Sequence, residues 1–67
     1  MKWSITKISQ PLSKFTVLDH QTGKNMDFYI AGLDAVEIIG NNAIVKKKKG
    51  RSIQIDLLDG TRRLKSP

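Results

Sequence analysis

Apolar residues in this chain recur at every second position in short runs, and each run is closed by Gly, Asn, Asp or Pro. A period of two places alternate side chains on one face of an extended strand. Trp3 and Ile5 alternate with Ser4 and Thr6, and Phe15 and Val17 resume the pattern after a break around Pro11. Pro11 has no N–H to give a ladder, which suits a turn or an edge. Met26, Phe28 and Ile30 alternate with Asp27, Tyr29 and Ala31; Ile53, Ile55 and Leu57 alternate with Ser52, Gln54 and Asp56.

The punctuation is equally regular. Asp19-His20-Gln21-Thr22-Gly23-Lys24 reads as a hairpin turn, with the aspartate capping turn N–H groups and Gly23 at positive φ. Gly40-Asn41-Asn42 reads as a tight turn, because asparagine tolerates the left-handed region. Gly50 is expected to end the strand that begins at Ala43, and Asp59-Gly60 is a strong hairpin signal. Ala35–Ile39 fits either one or two helical turns or a strand; its β-branched Val36, Ile38 and Ile39 favour the strand.

These signals predict one all-β domain over residues 1–67, with 65–67 a frayed C-terminal tail and five to seven short antiparallel strands. A flat sheet would leave one apolar face and two edges open, so a small barrel or a sandwich is expected. The architecture resembles the SH3-like and OB-like classes of small barrels, many of which bind nucleic acid or protein. The predicted core is Trp3, Ile5, Phe15, Val17, Met26, Phe28, Ile30, Val36, Ile38, Ile44, Ile53, Ile55 and Leu57.

At 67 residues the chain has room for a single core. A domain of that size buries only about 60% of the surface its unfolded form exposes, so supports matter. There is no cysteine and one histidine, His20, so neither a disulfide nor a structural zinc of four Cys or His ligands is available. No cofactor or metal is expected. No run approaches the roughly 20 apolar residues of a membrane span. Met1–Lys7 has basic residues but no apolar stretch, so a secretory signal is not expected. With the absence of cysteine, this points to a cytoplasmic protein.

No catalytic constellation emerges, and an enzyme is not expected. His20 beside Asp19 reads as an exposed turn residue rather than half of an acid–base pair, and no nucleophile or enclosed pocket is implied. The six carboxylates are scattered over turns and outward strand positions. Thr22-Gly23-Lys24 superficially resembles the end of a phosphate-binding loop but lacks the preceding glycine and the following helix.

Charge is the distinctive feature. The net charge is +6. Residues 1–40 carry four lysines against four acids, whereas residues 41–67 carry eight cations against Asp56 and Asp59. All of the excess therefore falls in the second half. The tract Lys46-Lys47-Lys48-Lys49-Gly50-Arg51, with Arg62, Arg63 and Lys65, forms the candidate binding set. Four successive lysines cannot all lie in a half-buried strand, so the chain is expected to leave the core near Lys46 as an arm or hairpin tip. Pairing of Arg51–Leu58 with Thr61–Lys65 would bring Arg62 and Arg63 beside the Arg51 strand. Such clustering is relieved by a polyanion.

The leading expectation is a non-catalytic module that contacts nucleic-acid phosphates, with Tyr29 as the best candidate for base stacking. The alternatives are an acidic protein or a membrane surface as partner, a small assembly module such as an accessory subunit or a phage or mobile-element factor, and a solvated face that blunts an edge strand. Exposed edges also invite self-association into a homo-oligomer.

Overall fold

A computed structural model describes residues 2–65. Of the frayed tail expected at 65–67, residues 66 and 67 lie outside the described residues. Seven strands follow one another: β1 (Trp3–Ser9), β2 (Lys14–Asp19), β3 (Lys24–Tyr29), β4 (Leu33–Ile39), β5 (Asn42–Lys47), β6 (Ile53–Asp56) and β7 (Arg62–Leu64). They form two antiparallel meanders, β1-β2-β3 and β4-β5-β6-β7, and neither sheet closes on itself. The described residues contain no helix, and so none long and apolar enough to cross a membrane. Ala35–Ile39 lies within β4, as its β-branched residues favoured.

The turns carry out what their residues permit. Asp19 and Asp56 each begin the same five-residue turn. The carboxylate accepts the N–H two residues on (Gln21 at 2.9 Å, Leu58 at 2.8 Å), and the carbonyl accepts the N–H of the closing glycine (Gly23 and Gly60, both 2.7 Å). Both glycines have positive φ, 75° and 80°, a region that costs other residues free energy. Between β4 and β5 the left-handed residue is Gly40, at φ 60°, and not an asparagine. Glycine in the first position of a two-residue loop is the type II′ preference. Asn41 instead reaches the other sheet, where its Oδ1 accepts the indole N–H of Trp3 at 3.0 Å.

Both sheets contribute to one core cluster: Trp3, Phe15, Val17, Phe28 and Ile30 from the first half, and Leu33, Ala43, Val45, Ile55 and Leu57 from the second. Phe15 and Phe28 face each other across β2 and β3 and stack at 5.1 Å. Met26, Val36, Ile38 and Ile53 pack around this cluster as expected. Two expected core residues behave differently. Ile5 is only half-buried, because it sits on the edge strand β1. Ile44 is buried but on the opposite face, since Ala43 and Val45 point inward beside Ile55 and Ile53. The expected phase of β5, with Ile44 inward, is thus overturned: pairing with β6 places Ala43 and Val45 there instead. Leu33, read as part of a break, opens β4 and is almost fully buried.

Candidate nucleic-acid interface

The phase of β5 decides where the lysines point. With Val45 inward, Lys46 faces outward and Lys47 inward. β5 does not leave the sheet at Lys46: Lys47 still pairs with Leu33, and the Lys48 N–H donates to the Gly32 carbonyl at 2.9 Å. The projecting tip is therefore shorter than the charge run implied. It turns at Gly50, whose φ is 92°. Lys47 is half-buried, and its Nζ lies 4.0 Å from where a Gly50 side chain would start. Lys48, Lys49 and Arg51 are exposed around this tip.

β7 supplies the second group of cations. Arg63 pairs with Gln54, and Gln54 with Ile44, so all three share the outer face of the second sheet. The ladder continues one residue further, where the Lys65 N–H donates to the Ser52 carbonyl at 2.8 Å. Lys65, Ser52 and Lys46 then fall on that same face by alternation. Its cations thus come from β5 and from the β7 end, with the uncharged Ser52 and Gln54 between them. The same face also carries two acids: Glu37 on β4, which lines a depression with Ile44 and Lys46, and Asp56 on β6, which lines one with Gln54 and Arg63. None of the face's cations is within ion-pair distance of a carboxylate; the one salt bridge among the described residues joins Lys14 and Asp27 at 3.5 Å.

The face is shallow. One depression of about 140 Å³ is lined by Ala35, Val36, Glu37, Ile44 and Lys46. Another of about 220 Å³ is lined by Asn42, Gln54, Asp56, Thr61 and Arg63. Neither is a deep enclosed cleft of the kind that holds small ligands.

Not every candidate joins this face. Arg62 pairs with the buried Ile55 and so lies on the inner side of the last strand. Its Nη1 donates to the Tyr29 carbonyl at 3.4 Å, reaching across to the edge of the first sheet. Tyr29 pairs with Lys14 on the outer face of that first sheet. The Lys14 ammonium sits 5.7 Å from the Tyr29 ring centroid, which covers one side of the ring. Tyr29 therefore stands on the other sheet from Lys46, Arg63 and Lys65.

Around Tyr29 the first sheet carries its own polar group. The Thr16 hydroxyl donates to Asp27 at 2.7 Å, and that hydrogen bond, followed by the Lys14 charge, holds the Asp27 carboxyl below its usual range. Asp59 is held low in the same direction by the hydroxyl and N–H of Thr61.

The strand pairing also makes a contact that sequence spacing did not show: Ser4 Oγ and His20 Nε2 are 2.6 Å apart. Asp19 does not complete an acid–base set, because its carboxylate accepts the Gln21 N–H. The pair is exposed. No group of three or more His, Cys, Asp or Glu residues that could hold a metal occurs among the described residues. Comparison of the chain with family models, curated proteins and solved structures finds no match.

Proposed function

We infer that this protein is a non-catalytic binding module that takes nucleic-acid phosphates on the outer face of β5-β6-β7 and on the adjoining β5–β6 tip. The fold is read as a two-layer sandwich in which the first sheet is the support and the second the binding surface. The observation that carries the reading is the gathering of Lys46, Arg63 and Lys65 onto one face, unpaired, beside the exposed Lys48, Lys49 and Arg51. Like charges so placed repel each other, and a polyanion relieves that repulsion. Phosphate contact rather than stacking is the expected mode, since Trp3, Phe15 and Phe28 are buried and Tyr29 stands on the other sheet.

Fluorescence anisotropy with labelled DNA and RNA at two salt concentrations tests this. With about five phosphate contacts, log K is expected to fall against log salt with a slope near −4 to −5 on duplex. Absence of binding at low salt overturns the reading.

A further inference from the structure

The two sheets meet differently along their two sides. On one side β1 approaches β4, and the Gln10 side-chain amide, from the β1–β2 turn, donates to the Asp34 carbonyl at 3.0 Å. Both of these edge strands are bulged, β1 between Ile5 and Lys7 and β4 between Leu33 and Ala35. Cover and bulges of this kind blunt an edge. The other side is bounded by β3 and β7, which do not pair with each other and run without a bulge. Among the described residues, the Arg62 side chain on the Tyr29 carbonyl is the one hydrogen bond that spans this side.

Hydrogen-bond parity tells what β7 leaves open. In an antiparallel pair, opposite residues alternate between exchanging main-chain hydrogen bonds and not. The Asp56 N–H donates to the Thr61 carbonyl and the Lys65 N–H to the Ser52 carbonyl, both at 2.8 Å and both between opposite positions of the β6–β7 register. Thr61, Arg63 and Lys65 therefore turn their main-chain groups toward β6, and Arg62 and Leu64 turn theirs to the open edge. Side chains follow the same alternation. Leu64 lies opposite Ile53 on the core side of the sheet, yet it is 64% exposed, because no strand lies beyond β7 to cover it. Arg63 and Lys65 point to the outer face with no carboxylate within ion-pair distance among the described residues. Asp59 feels the Arg63 charge, but it bonds Thr61.

We propose that the open edge of β7 takes an extended acidic peptide as an added antiparallel strand, in the sense of every other pair in this fold. The peptide residue opposite Leu64 exchanges main-chain hydrogen bonds with it and lays an apolar side chain over it. Its two neighbours stand opposite Arg63 and Lys65, in the pairs where side chains approach most closely, and there carboxylates meet the two cations. The motif is acid, apolar, acid.

Charge selects this occupant over the others. A second copy of the chain offers two unbulged edges. Its β7 would set cations against cations, and its β3 carries one acid, Asp27, already engaged by Thr16 and Lys14. The acids Asp34 and Glu37 belong to β4, which is bulged and approached by β1. A nucleic-acid strand has no main-chain N–H in strand register to give the Arg62 and Leu64 carbonyls. Phosphate binding on the outer face can therefore fail without touching this inference, which rests on the β7 main chain and on Leu64.

The test is a titration of the ¹⁵N-labelled full chain with a short, end-capped peptide of alternating glutamate and valine, read by NMR. The Arg62 and Leu64 amides should shift and exchange more slowly with solvent, while those of Asn25 and Asp27, on the β3 edge, should not. In the proposed register the valine N–H groups face β7 and the glutamate N–H groups face away. A peptide N-methylated at its valines should therefore bind about tenfold or more weakly, whereas one N-methylated at its glutamates should keep its affinity. These peptides leave the protein unaltered, so no variant has to fold. No binding, changes confined to residues outside β7, or equal affinity for the valine-methylated peptide or for an alternating lysine–valine peptide would each overturn the strand-addition inference.

Discussion

The indole N–H of Trp3 donates to Oδ1 of Asn41 at 3.0 Å, across 38 positions of sequence, and this bond ties the first strand of one sheet to the β4–β5 turn of the other. Trp3 is almost fully buried, so its N–H has little access to water if the acceptor is lost. An orphaned buried donor costs about 1–3 kcal/mol. Asn41→Ala should therefore lower the thermal midpoint by several degrees, at about 4–8 °C per kcal/mol for a domain of this size. Asn41→Asp, which keeps an acceptor, should cost less. A thermal scan followed by tryptophan fluorescence checks both, and equal midpoints for wild type and Asn41→Ala would show the bond to be dispensable.

The core is small enough that one truncation should be close to fatal. Ile55 is fully buried between Ala43 and Arg62 on β6, whereas Leu58, in the following turn, is 60% exposed. Large-to-small changes in a packed core cost about 2–5 kcal/mol. Domains hold a total of about 0.05–0.15 kcal/mol per residue. Ile55→Ala should leave a substantial unfolded fraction, while Leu58→Ala should shift a urea midpoint little.

Acid should weaken the fold through Asp27 and Asp59. Both carboxyls are held below their usual range in the folded chain, Asp27 chiefly by the Thr16 hydroxyl and then by Lys14, and Asp59 by Thr61. A depressed folded value means the unfolded chain takes up protons first as pH drops. The stability they contribute is thus fully present above the ordinary Asp value. Its loss begins there and is complete once the pH has passed below the lowered folded value. Urea midpoints measured down this range should decline, and Asp27→Asn should flatten part of the decline. Both groups are exposed, so the effect is modest, and added salt should reduce the Lys14 share more than the Thr16 share.

Ser13 is the one non-glycine residue at positive φ among the described residues, at 51°. It is held there by two bonds, its N–H to the Gln10 carbonyl at 3.0 Å and its carbonyl accepting the Ile30 N–H at 2.8 Å. The left-handed region costs an L-residue about 1–2 kcal/mol. Glycine removes that cost but gives back about 0.5–1 kcal/mol in unfolded-state freedom. Ser13→Gly should therefore be neutral to slightly stabilising, and Ser13→Val clearly destabilising, by denaturant titration.

Salt dependence separates the two sheets. Each phosphate contact on duplex DNA contributes about 0.9 to the slope of log K against log salt. Arg63→Gln or Lys65→Gln should each reduce that slope by about this amount. Lys24→Gln, on β3 of the first sheet, should leave it unchanged. A uniform reduction from all three would mean that net charge alone, and not the face, governs binding.

Most of the strand plan was legible in the residues. Alternation marked the strands, and the Asp19…Gly23 turn was legible because aspartate and glycine carry local reasons to turn, whereas the last turn, expected at Asp59-Gly60, begins three residues earlier at Asp56. The strand state of Ala35–Ile39 followed from its β-branched side chains. What escaped were phases and partners. Ile44 and Val45 are adjacent and equally apolar, so no local rule says which points inward. The same gap concealed the fate of the basic run: Lys46 outward, Lys47 half-buried, and Lys48 still bonded to Gly32. Arg62 and Arg63 are neighbours in sequence, yet one reaches Tyr29 on the other sheet and the other lies opposite Gln54.

The amino-acid sequence by itself determined the all-β class, most of the turns and the confinement of all excess positive charge to the second half, because each rests on short-range sterics or on simple composition. Tertiary structure alone decided which cations share a face, that Tyr29 stands apart from them, and that Trp3 meets Asn41. A strand's two faces are chemically equivalent until a neighbour pairs with it, and only that long-range pairing sets the register from which every outward side chain takes its direction.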